Sequence, residues 1–547
     1  MKSRGVLFTI AAVGVIVLGV AARLFLFLAR PSFWGDELLL LLNVVRRSYA
    51  GLLTPLDHAQ IAPVLFVELE KLSLSLLGVS EFAARLFPLL FGLAAIVLVG
   101  CAVRQIASRE AAMWAAVVTS VSPALLLFTN EAKQYSAEAA TSAVVLVVCL
   151  SQLRKPFRYR GLTAVFCASI AALLLSVPAI FVVAPAWAAV LLHCRKQKDS
   201  FRLQLGVCGA ALASAGIFAG LYFGVYSGNG VADYMQGFWA PAYLRARGSW
   251  WAGFTFLMQT LASSVLALDG GLPGWLVVVA VLLLAWGFVR LAVKAGWPVT
   301  VLLAGPLVLV LAANLVVRWP LAIRLMTFAI PVLVVVMSYG MEPLLNFRGV
   351  GSFLAAGAVS LVLIVPSLRL DFWQVRHPES ADDCREKVKS LMERVRPADA
   401  VYVYAGGVPA WLYYSVNWAA PNWARVNTWE EASKRLGGNP GNAPPRNARV
   451  QHEGWDLTFP VNGHVELMGI ASGSQSDGAG YHGAPPDEGW ADNEAERMVS
   501  CGRERVYVFV SQYRKPVIDP LMAALERRGM RLVEKNVGIS RWYEFER

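Results

Sequence analysis

Charge is scarce in this chain. Only 16% of its 547 residues are Asp, Glu, Lys or Arg, whereas 57% are hydrophobic. A soluble protein carries about 25% charged residues, so the composition excludes an ordinary soluble protein. It indicates a polytopic membrane protein instead.

Three further absences narrow the possible functions. No CxxC pair and no His-rich spacing occurs, so the sequence has no zinc or redox motif. No internal repeat is visible and the centres of the apolar runs are almost uncharged, unlike a transporter that binds its cargo at the membrane midplane. The net charge is +12, but no soluble segment contains a basic patch. This distribution argues against nucleic-acid binding.

Long apolar runs are abundant. Eleven of them approach the roughly 20 residues that a transmembrane helix needs. They predict spans at about 6–28, 84–103, 111–128, 137–153, 161–177, 178–194, 203–224, 274–293, 298–317, 325–345 and 350–368. The first run is too long for the core of a signal peptide, so we predict that it is retained.

Lys and Arg in the short loops predict the orientation. Lys2 and Arg4 favour a cytoplasmic N terminus, and later clusters such as Arg154 to Arg160 fall on the same side. The opposite face, which is the periplasm in a bacterial inner membrane, then receives the loops 29–83, 129–136, 225–273 and 318–324 and the tail after Arg369.

The sequence divides into a membrane domain, 1–368, and a more polar tail, 369–547. Alternating strand and helix patterns in the tail predict a small periplasmic α/β domain. Its middle, about 435–495, is rich in Gly, Pro and Asn and predicts a flexible insert.

Cys384 and Cys501 both lie in the tail, where they either form a disulfide or stay free. In loop 29–83, apolar stretches predict helices on the membrane surface.

Polar side chains gather on the predicted outer face in three stretches. Asp36 and Glu37 follow the first span, Glu131 and Lys133 follow the third, and Arg324 precedes the tenth. If the second stretch is helical, Glu131 shares one face with two further candidates, Tyr135 and Glu138. His58 and Gln60 lie in the first outer loop, and Arg245 lies in a later, aromatic-rich one that includes Trp239. Each group also has a purely structural interpretation, as solvated charge, a surface turn, interfacial aromatics or lipid contacts.

Acids and cations at the membrane edge suit a polyprenyl-phosphate sugar as substrate. The lipid tail stays in the bilayer, the phosphate needs positive charge, and the acceptor needs a base. The leaving group is already a phosphate, so charge neutralisation serves it better than a proton.

Several short motifs resemble those of the GT-C glycosyltransferases. They are Trp34-Gly35-Asp36-Glu37, the run His58 to Pro63, the segment Leu77 to Pro88 with Glu81 and Arg85, Glu131-Ala132-Lys133-Gln134-Tyr135 and Arg324-Leu325-Met326. The nearest branch is glycosyltransferase family 39, with the protein O-mannosyltransferases and the lipid A aminoarabinose transferase. Lys133 replaces the family's Arg, a tyrosine after Arg324 is missing, and the Lys-Pro-Pro segment of the aminoarabinose branch is absent, so the branch stays open.

The resemblance implies a GT-C fold and an inverting transfer of a hexose or pentose from a polyprenyl phosphate. No cofactor is expected, although some GT-C branches use a divalent cation, so Mg, Mn or Ca near Asp36 and Glu131 stays open. The roles that it implies are a general base (Asp36), supporting acids (Glu37 and Glu131), phosphate contacts (Lys133 and Arg324, with Arg85 or Arg245) and substrate contacts (His58, Gln60, Tyr135 and Glu138).

The predicted function is therefore glycosyl transfer in the bacterial envelope, to a lipid, polysaccharide or protein acceptor. Two alternatives remain, a lipid-linked oligosaccharide ligase and a lipid or sugar flippase. The sequence does not name the sugar, the acceptor or the oligomeric state.

Overall fold

The computed structural model describes residues 2–547 except 59, 198–200, 228–235, 269–270, 347–348, 379–381, 416–423, 427–456, 460–464, 469–488 and 512–514. Most of the insert predicted at about 435–495 lies outside the described residues. All statements below concern the described residues.

The membrane part is built of sixteen α-helices among the described residues. They are α1 (Lys2–Ala29), α2 (Gly35–Arg46), α3 (Val64–Leu77), α4 (Glu81–Ala84), α5 (Leu86–Arg104), α6 (Arg109–Ser120), α7 (Pro123–Thr129), α8 (Tyr135–Leu153), α9 (Tyr159–Leu175), α10 (Ile180–Cys194), α11 (Phe201–Leu221), α12 (Trp250–Leu266), α13 (Gly274–Arg290), α14 (Trp297–Leu315), α15 (Ile330–Leu345) and α16 (Val350–Arg376).

The helices confirm the prediction of a polytopic membrane protein. Within the described part of the chain, nine helical segments are long and apolar enough to span a bilayer. The pair α6 and α7, bent by 59°, forms a tenth candidate, and α9 is a shorter apolar helix. Together these elements coincide with the eleven predicted segments.

The bend between α6 and α7 is held by a buried arginine from α1. Arg23 donates to the carbonyl of Ser120 at 2.5 Å and to that of Thr119 at 3.3 Å. These carbonyls belong to the last turn of α6, which has no intrahelical donors for them. Inside a bilayer an unsatisfied carbonyl is costly, so the guanidinium makes the break possible.

One apolar helix was not predicted. The segment α12 lies inside the loop expected at 225–273. Its first turns expose Trp250, Trp251 and Phe254, whereas its last turn, through Leu266, is buried against the bundle. It packs against α7, α13 and α15. The aromatic residues of this stretch favoured an interfacial loop, because Trp and Tyr are typical of membrane interfaces.

The C-terminal part forms a five-stranded sheet of order β4-β1-β5-β7-β6. Strand β1 is parallel to β4 and β5, whereas β7 is antiparallel to β5 and β6. The strands are β1 (Ala400–Val403), β2 (Ala424–Val426), β3 (Leu457–Phe459), β4 (Val465–Met468), β5 (Arg505–Val510), β6 (Arg531–Asn536) and β7 (Arg541–Glu546), and β2 pairs only with β3. The helices are α17 (Cys384–Met392), α18 (Val408–Tyr414), α19 (Trp490–Ser500) and α20 (Lys515–Arg527).

Side chains alternate between the two faces of this sheet. Tyr402 and Val508 belong to the core under α19 and α20. Val401 and Phe509 belong to a second core, which continues through α18 into α2 and α3 of the membrane part. The sheet therefore packs on the same side of the membrane as α2.

Cys384 and Cys501 are both free and do not form a disulfide with each other. The thiol of Cys384 donates to the carbonyl of Phe33 at 3.2 Å, and the thiol of Cys501 donates to the carbonyl of Met498 at 2.9 Å.

Helices α13 and α15 approach closely at Gly287, which gives a test of the packing. A Cβ added at Gly287 would collide with the backbone carbonyl of Val336. Small residues at such crossings allow helices in membranes to pack. Gly287→Ala should therefore destabilise the protein by about 1–3 kcal/mol, as overpacking does.

The measurement is the apparent Tm in detergent. Gly216→Ala is the matched control, because it lies in α11 with no atom near its would-be Cβ. It should leave Tm unchanged or raise it slightly, since Ala favours helix over Gly. Equal Tm values for the two variants would contradict this packing.

Candidate active site

The start of α2 places two adjacent carboxylates at the end of the membrane domain that packs against the C-terminal part. Trp34 precedes the helix in an extended conformation, and Asp36 and Glu37 lie in its first turn. Acids are favoured there by the helix dipole. Glu37 also accepts from the backbone N–H of Trp34 at 3.2 Å, which satisfies one of the donors that a helix start leaves free.

Glu37 is fully engaged inside the protein. Arg85 donates to both of its oxygens, from Nη2 at 2.9 Å and from Nε at 3.1 Å. The N–H of Ala132 donates to the same carboxylate at 2.7 Å. The side chains of Glu37 and Arg85 are only 1% and 3% exposed. These two candidates therefore face each other and connect α2, the α4–α5 junction and the turn before α8.

Asp36 points the other way and is 25% exposed. Its Oδ1 lies 3.1 Å from Lys133 Nζ, and its Oδ2 lies 3.5 Å from Arg324 Nη1. Gln60 donates to Oδ1 at 3.4 Å. Burial acts to raise the pKa of Asp36, but Lys133 and Arg324 outweigh it and hold the pKa below its ordinary value. Asp36 is therefore ionised at neutral pH.

Lys133 and Gln60 form one unit beside Asp36. The ammonium of Lys133 donates to Gln60 Oε1 at 2.6 Å and is almost completely buried. Gln60 comes from the loop after α2, whereas Lys133 comes from the turn between α7 and α8. Two predicted residues that are 73 positions apart thus meet at the same carboxylate.

Glu131 is the second acid of the site. Helix α8 begins only at Tyr135, so Glu131 is positioned by the preceding turn and not by the helical face that the spacing suggested. Burial, reinforced by Glu37 and Asp36, raises the pKa of Glu131 to about 8. Its Oε2 is buried and has no hydrogen-bond partner among the described residues. A neutral carboxyl group with an open position can donate one hydrogen bond.

Arg324 reaches the site from a short 3₁₀ turn before α15. Its guanidinium lies over the ring of Trp239, 4.6 Å from the ring centroid. Arginine on an indole face is a favourable cation–π pair. In the sequence, Trp239 is only one of several aromatic residues in its loop. Nothing in the linear pattern distinguished it, because its partner lies on another loop.

The remaining predicted residues lie around this centre. Glu138 is buried in α8 and accepts from Thr327 Oγ1 at 2.7 Å. Tyr135 is buried against Phe128, with ring centroids 4.9 Å apart. His58 is half-buried with φ +62°, and burial lowers its pKa to about 4, so it is neutral at pH 7.

Arg245 lies apart from this group. It is exposed in the 3₁₀ segment Leu244–Arg247. The loop around it is hydrogen-bonded to the segment that precedes Arg324, through the N–H of Leu321 and the carbonyl of Ala242 at 2.9 Å. Among the described residues, no contact joins Arg245 itself to Asp36.

The site contains both acidic and basic side chains. Among the residues that the structure describes, no group of three or more His, Cys, Asp and Glu side chains is placed to hold a metal ion. Lys133 and Arg324 supply positive charge next to Asp36.

The raised pKa of Glu131 makes stability depend on pH. Between about pH 4.5 and pH 8, the folded protein keeps a proton on Glu131 that the unfolded chain releases. The free energy of unfolding from this group therefore falls as pH rises through that window. Glu131→Gln cannot ionise, so its apparent Tm should exceed that of the wild type by several degrees at pH 8.5 and match it at pH 5.

Thermal unfolding in detergent at the two pH values measures this effect. Glu496→Gln is the control, because its carboxylate is 67% exposed and should show the pH dependence of the wild type. A Glu131→Gln curve parallel to the wild type at both pH values would contradict the assignment of a neutral Glu131.

Comparisons with known proteins place the fold. Neither family models nor curated proteins match the sequence. Among solved structures, ArnT from Cupriavidus metallidurans in the apo state is similar, with a TM-score of 0.52, 13% identity, and 98% of each chain covered.

Two further solved structures are also similar. ArnT bound to undecaprenyl phosphate has a TM-score of 0.52 and 13% identity, covering 99% of this chain and 97% of that one. AglB from Archaeoglobus fulgidus, in complex with an inhibitory peptide and a dolichol-phosphate, has a TM-score of 0.44 and 11% identity, covering 91% and 69%. At such identities the likeness to ArnT shows the fold alone: the chain is a polytopic α-helical membrane protein of the GT-C fold with a small C-terminal sheet.

Proposed function

We propose that this protein is an inverting glycosyltransferase of the bacterial inner membrane. It transfers a sugar from a polyprenyl phosphate to an envelope lipid, polysaccharide or protein, on the side of the membrane that carries the C-terminal domain. We assign that side to the periplasm, because the short loops of the opposite side carry most of the Lys and Arg residues. A structure of the same fold, that of ArnT, binds undecaprenyl phosphate, which supports a polyprenyl carrier.

One observation carries the proposal. The carboxylate of Asp36 lies between the cations Lys133 and Arg324, and three separate outer loops supply these residues. Ordinary surface ion pairs contribute little to stability. Three loops that converge on one partly exposed carboxylate are better explained by a reaction that needs an acid and two cations together.

The two cations suit the donor phosphate. Before the donor binds, they hold the pKa of Asp36 low, which makes the carboxylate a weak base. A phosphate that enters beside Lys133 and Arg324 would compete for the same donors, and arginine is well matched to phosphate oxygens. Asp36 would then recover basicity when the donor is in place.

The reaction follows from this arrangement. The acceptor hydroxyl or amine attacks the anomeric carbon and gives its proton to Asp36, while the bond from that carbon to the phosphate oxygen breaks. The electron pair leaves with the phosphate, and Lys133 and Arg324 stabilise the added negative charge. Attack opposite to the leaving group inverts the anomeric configuration.

The neutral Glu131 has a different role from Asp36. With its proton retained at pH 7, it is suited to donate a hydrogen bond to a sugar hydroxyl or a phosphate oxygen, and its free Oε2 can accept one. Two acids with opposite pKa shifts in one site commonly divide acid and base roles. Gln60, Tyr135, Glu138 and His58 surround the sugar position in this proposal.

Replacing Asp36 tests the general base. Asp36→Asn keeps the size of the side chain and the fold, but it removes the proton acceptor, so turnover should fall roughly 10²-fold or more. Transfer is measured with purified protein in detergent, using radiolabelled sugars linked to undecaprenyl phosphate and an envelope extract from a strain that lacks the gene.

Asp57→Asn is the matched control. Asp57 lies in the same outer loop and pairs with Arg47 at 2.8 Å, but its side chain is 41% exposed and away from Lys133 and Arg324. It should retain nearly normal turnover. Near-normal turnover in Asp36→Asn would reject the base assignment.

The same assay separates the alternatives. Mass spectrometry of the product distinguishes transfer of one sugar from transfer of an oligosaccharide, as a ligase would perform. A flippase would move the lipid-linked sugar without forming a product in detergent. Envelope glycans compared between the wild-type strain and the strain without the gene identify the sugar and the acceptor.

Metal independence is a further prediction of the charge arrangement. Because Lys133 and Arg324 already supply two positive charges beside Asp36, transfer should continue at an unchanged rate in excess EDTA. The control is the rate after Mg²⁺, Mn²⁺ or Ca²⁺ is added back. A rate that EDTA abolishes and one of these ions restores would show that a cation takes part.

A further inference from the structure

The five residues between α1 and α2 determine where Asp36 lies. Residues 30–34 are not helical, and Arg30 has φ +50°. Such a segment has few backbone hydrogen bonds of its own, so other parts of the protein must hold it. Any shift of Trp34, which begins α2, moves the first-turn carboxylates relative to Lys133 and Arg324.

The membrane domain holds one side of this segment. Arg85 donates to the carbonyls of Pro31 and Ser32, at 2.5 Å and 3.4 Å. Its guanidinium also lies over the ring of Phe33, 4.7 Å from the centroid. These contacts add to its bidentate pair with Glu37.

The C-terminal domain holds the other side. The hydroxyl of Tyr414, at the end of α18, accepts from the N–H of Phe33 and donates to Glu81 Oε1, both at 2.9 Å. The thiol of Cys384, at the start of α17, donates to the carbonyl of Phe33 at 3.2 Å. Both backbone groups of Phe33 thus bind side chains that lie about 350–380 positions later in the chain.

Two further contacts reinforce this junction. Arg385 donates to the carbonyl of Arg30 at 2.7 Å and pairs with Glu81 at 3.2 Å. The ring of Phe33 is completely buried and packs edge-on against Tyr413, with centroids 5.4 Å apart. The C-terminal domain therefore contacts the segment before Asp36 through hydrogen bonds to its backbone and a ring contact, and it contacts the adjacent α4 through an ion pair.

We propose that the C-terminal sheet domain positions the general base, and that Tyr414 is its main positioning residue. Tyr414 acts through Phe33 and Trp34 on Asp36 and touches no substrate. Small displacements of a reacting group are costly, since about 1 Å of misplacement lowers a rate about 10²-fold. This inference rests on the proposed function, because it assigns the domain a role in the same transfer reaction.

Tyr414→Phe tests the inference. The ring remains, but Phe33 N–H and Glu81 lose their hydroxyl partner. We expect kcat to fall about tenfold, while KM for the undecaprenyl-phosphate-linked donor stays within twofold, because Lys133 and Arg324 are unchanged. Hydrogen–deuterium exchange of a peptide that covers residues 30–36 should become faster, because the Phe33 amide has lost its acceptor.

Tyr402→Phe is the matched control. The hydroxyl of Tyr402 donates to Glu494 at 2.6 Å, in the core on the opposite face of the same sheet. This variant also removes one buried tyrosine–glutamate hydrogen bond, so it reproduces any general loss of stability. It should keep the kcat and the exchange rate of the wild type in residues 30–36.

The outcomes are distinguishable. Equal kcat values for Tyr414→Phe and Tyr402→Phe would overturn the positioning role, as would unchanged exchange in residues 30–36. If the wild-type protein transfers no sugar, the proposed function fails. In that case, hydrogen–deuterium exchange of residues 30–36 in Tyr414→Phe still tests whether the C-terminal domain holds this segment.

Discussion

The buried ion pair between Glu37 and Arg85 is the interaction on which the end of the membrane domain around Asp36 depends. Removing two charges from water is costly, and a buried pair is tolerated only when geometry and further hydrogen bonds satisfy both partners. Here the guanidinium binds both carboxylate oxygens, the N–H of Ala132 also donates to the carboxylate, and two carbonyls accept from two further N–H groups of the arginine. The pair joins the start of α2, the α4–α5 junction and the turn before α8, so it holds the turn that carries Lys133 next to Asp36.

Adjacent acids in the sequence have opposite surroundings because successive residues of a helix point about 100° apart. Glu37 points into the protein and is neutralised by one arginine, whereas Asp36 points toward the open side and lies between two cations. Burial, reinforced by the nearby Glu37 and Asp36, keeps Glu131 protonated. One group of side chains thus contains a structural carboxylate, an ionised carboxylate and a neutral one. The C-terminal domain completes the arrangement by binding both backbone groups of Phe33.

Local signals predicted the membrane architecture well. All eleven apolar runs correspond to helical segments, because the length of an apolar run is itself the physical requirement for crossing a bilayer. The prediction was weaker where packing decides the outcome. Helix α12 was missed because its tryptophans are typical of a membrane interface and its last turn is buried only by contact with the bundle. The helical face through Glu131, Tyr135 and Glu138 did not form, because the chain makes a turn before Tyr135.

The sequence by itself determined that this chain crosses the membrane many times and that acids and cations lie in the loops between its spans, since hydropathy and charge act through composition and local spacing. It also placed Asp36, Lys133, Gln60 and Arg324 on one side of the membrane. Only the tertiary structure decided which of these side chains meet. Arg85 and Arg324 are the same residue type, yet Arg85 pairs with Glu37, while Trp239 and Tyr414 contact the site or its supporting segment from distant parts of the chain. Such pairings depend on distances of a few ångströms between loops that are far apart in the chain, and no local pattern encodes them.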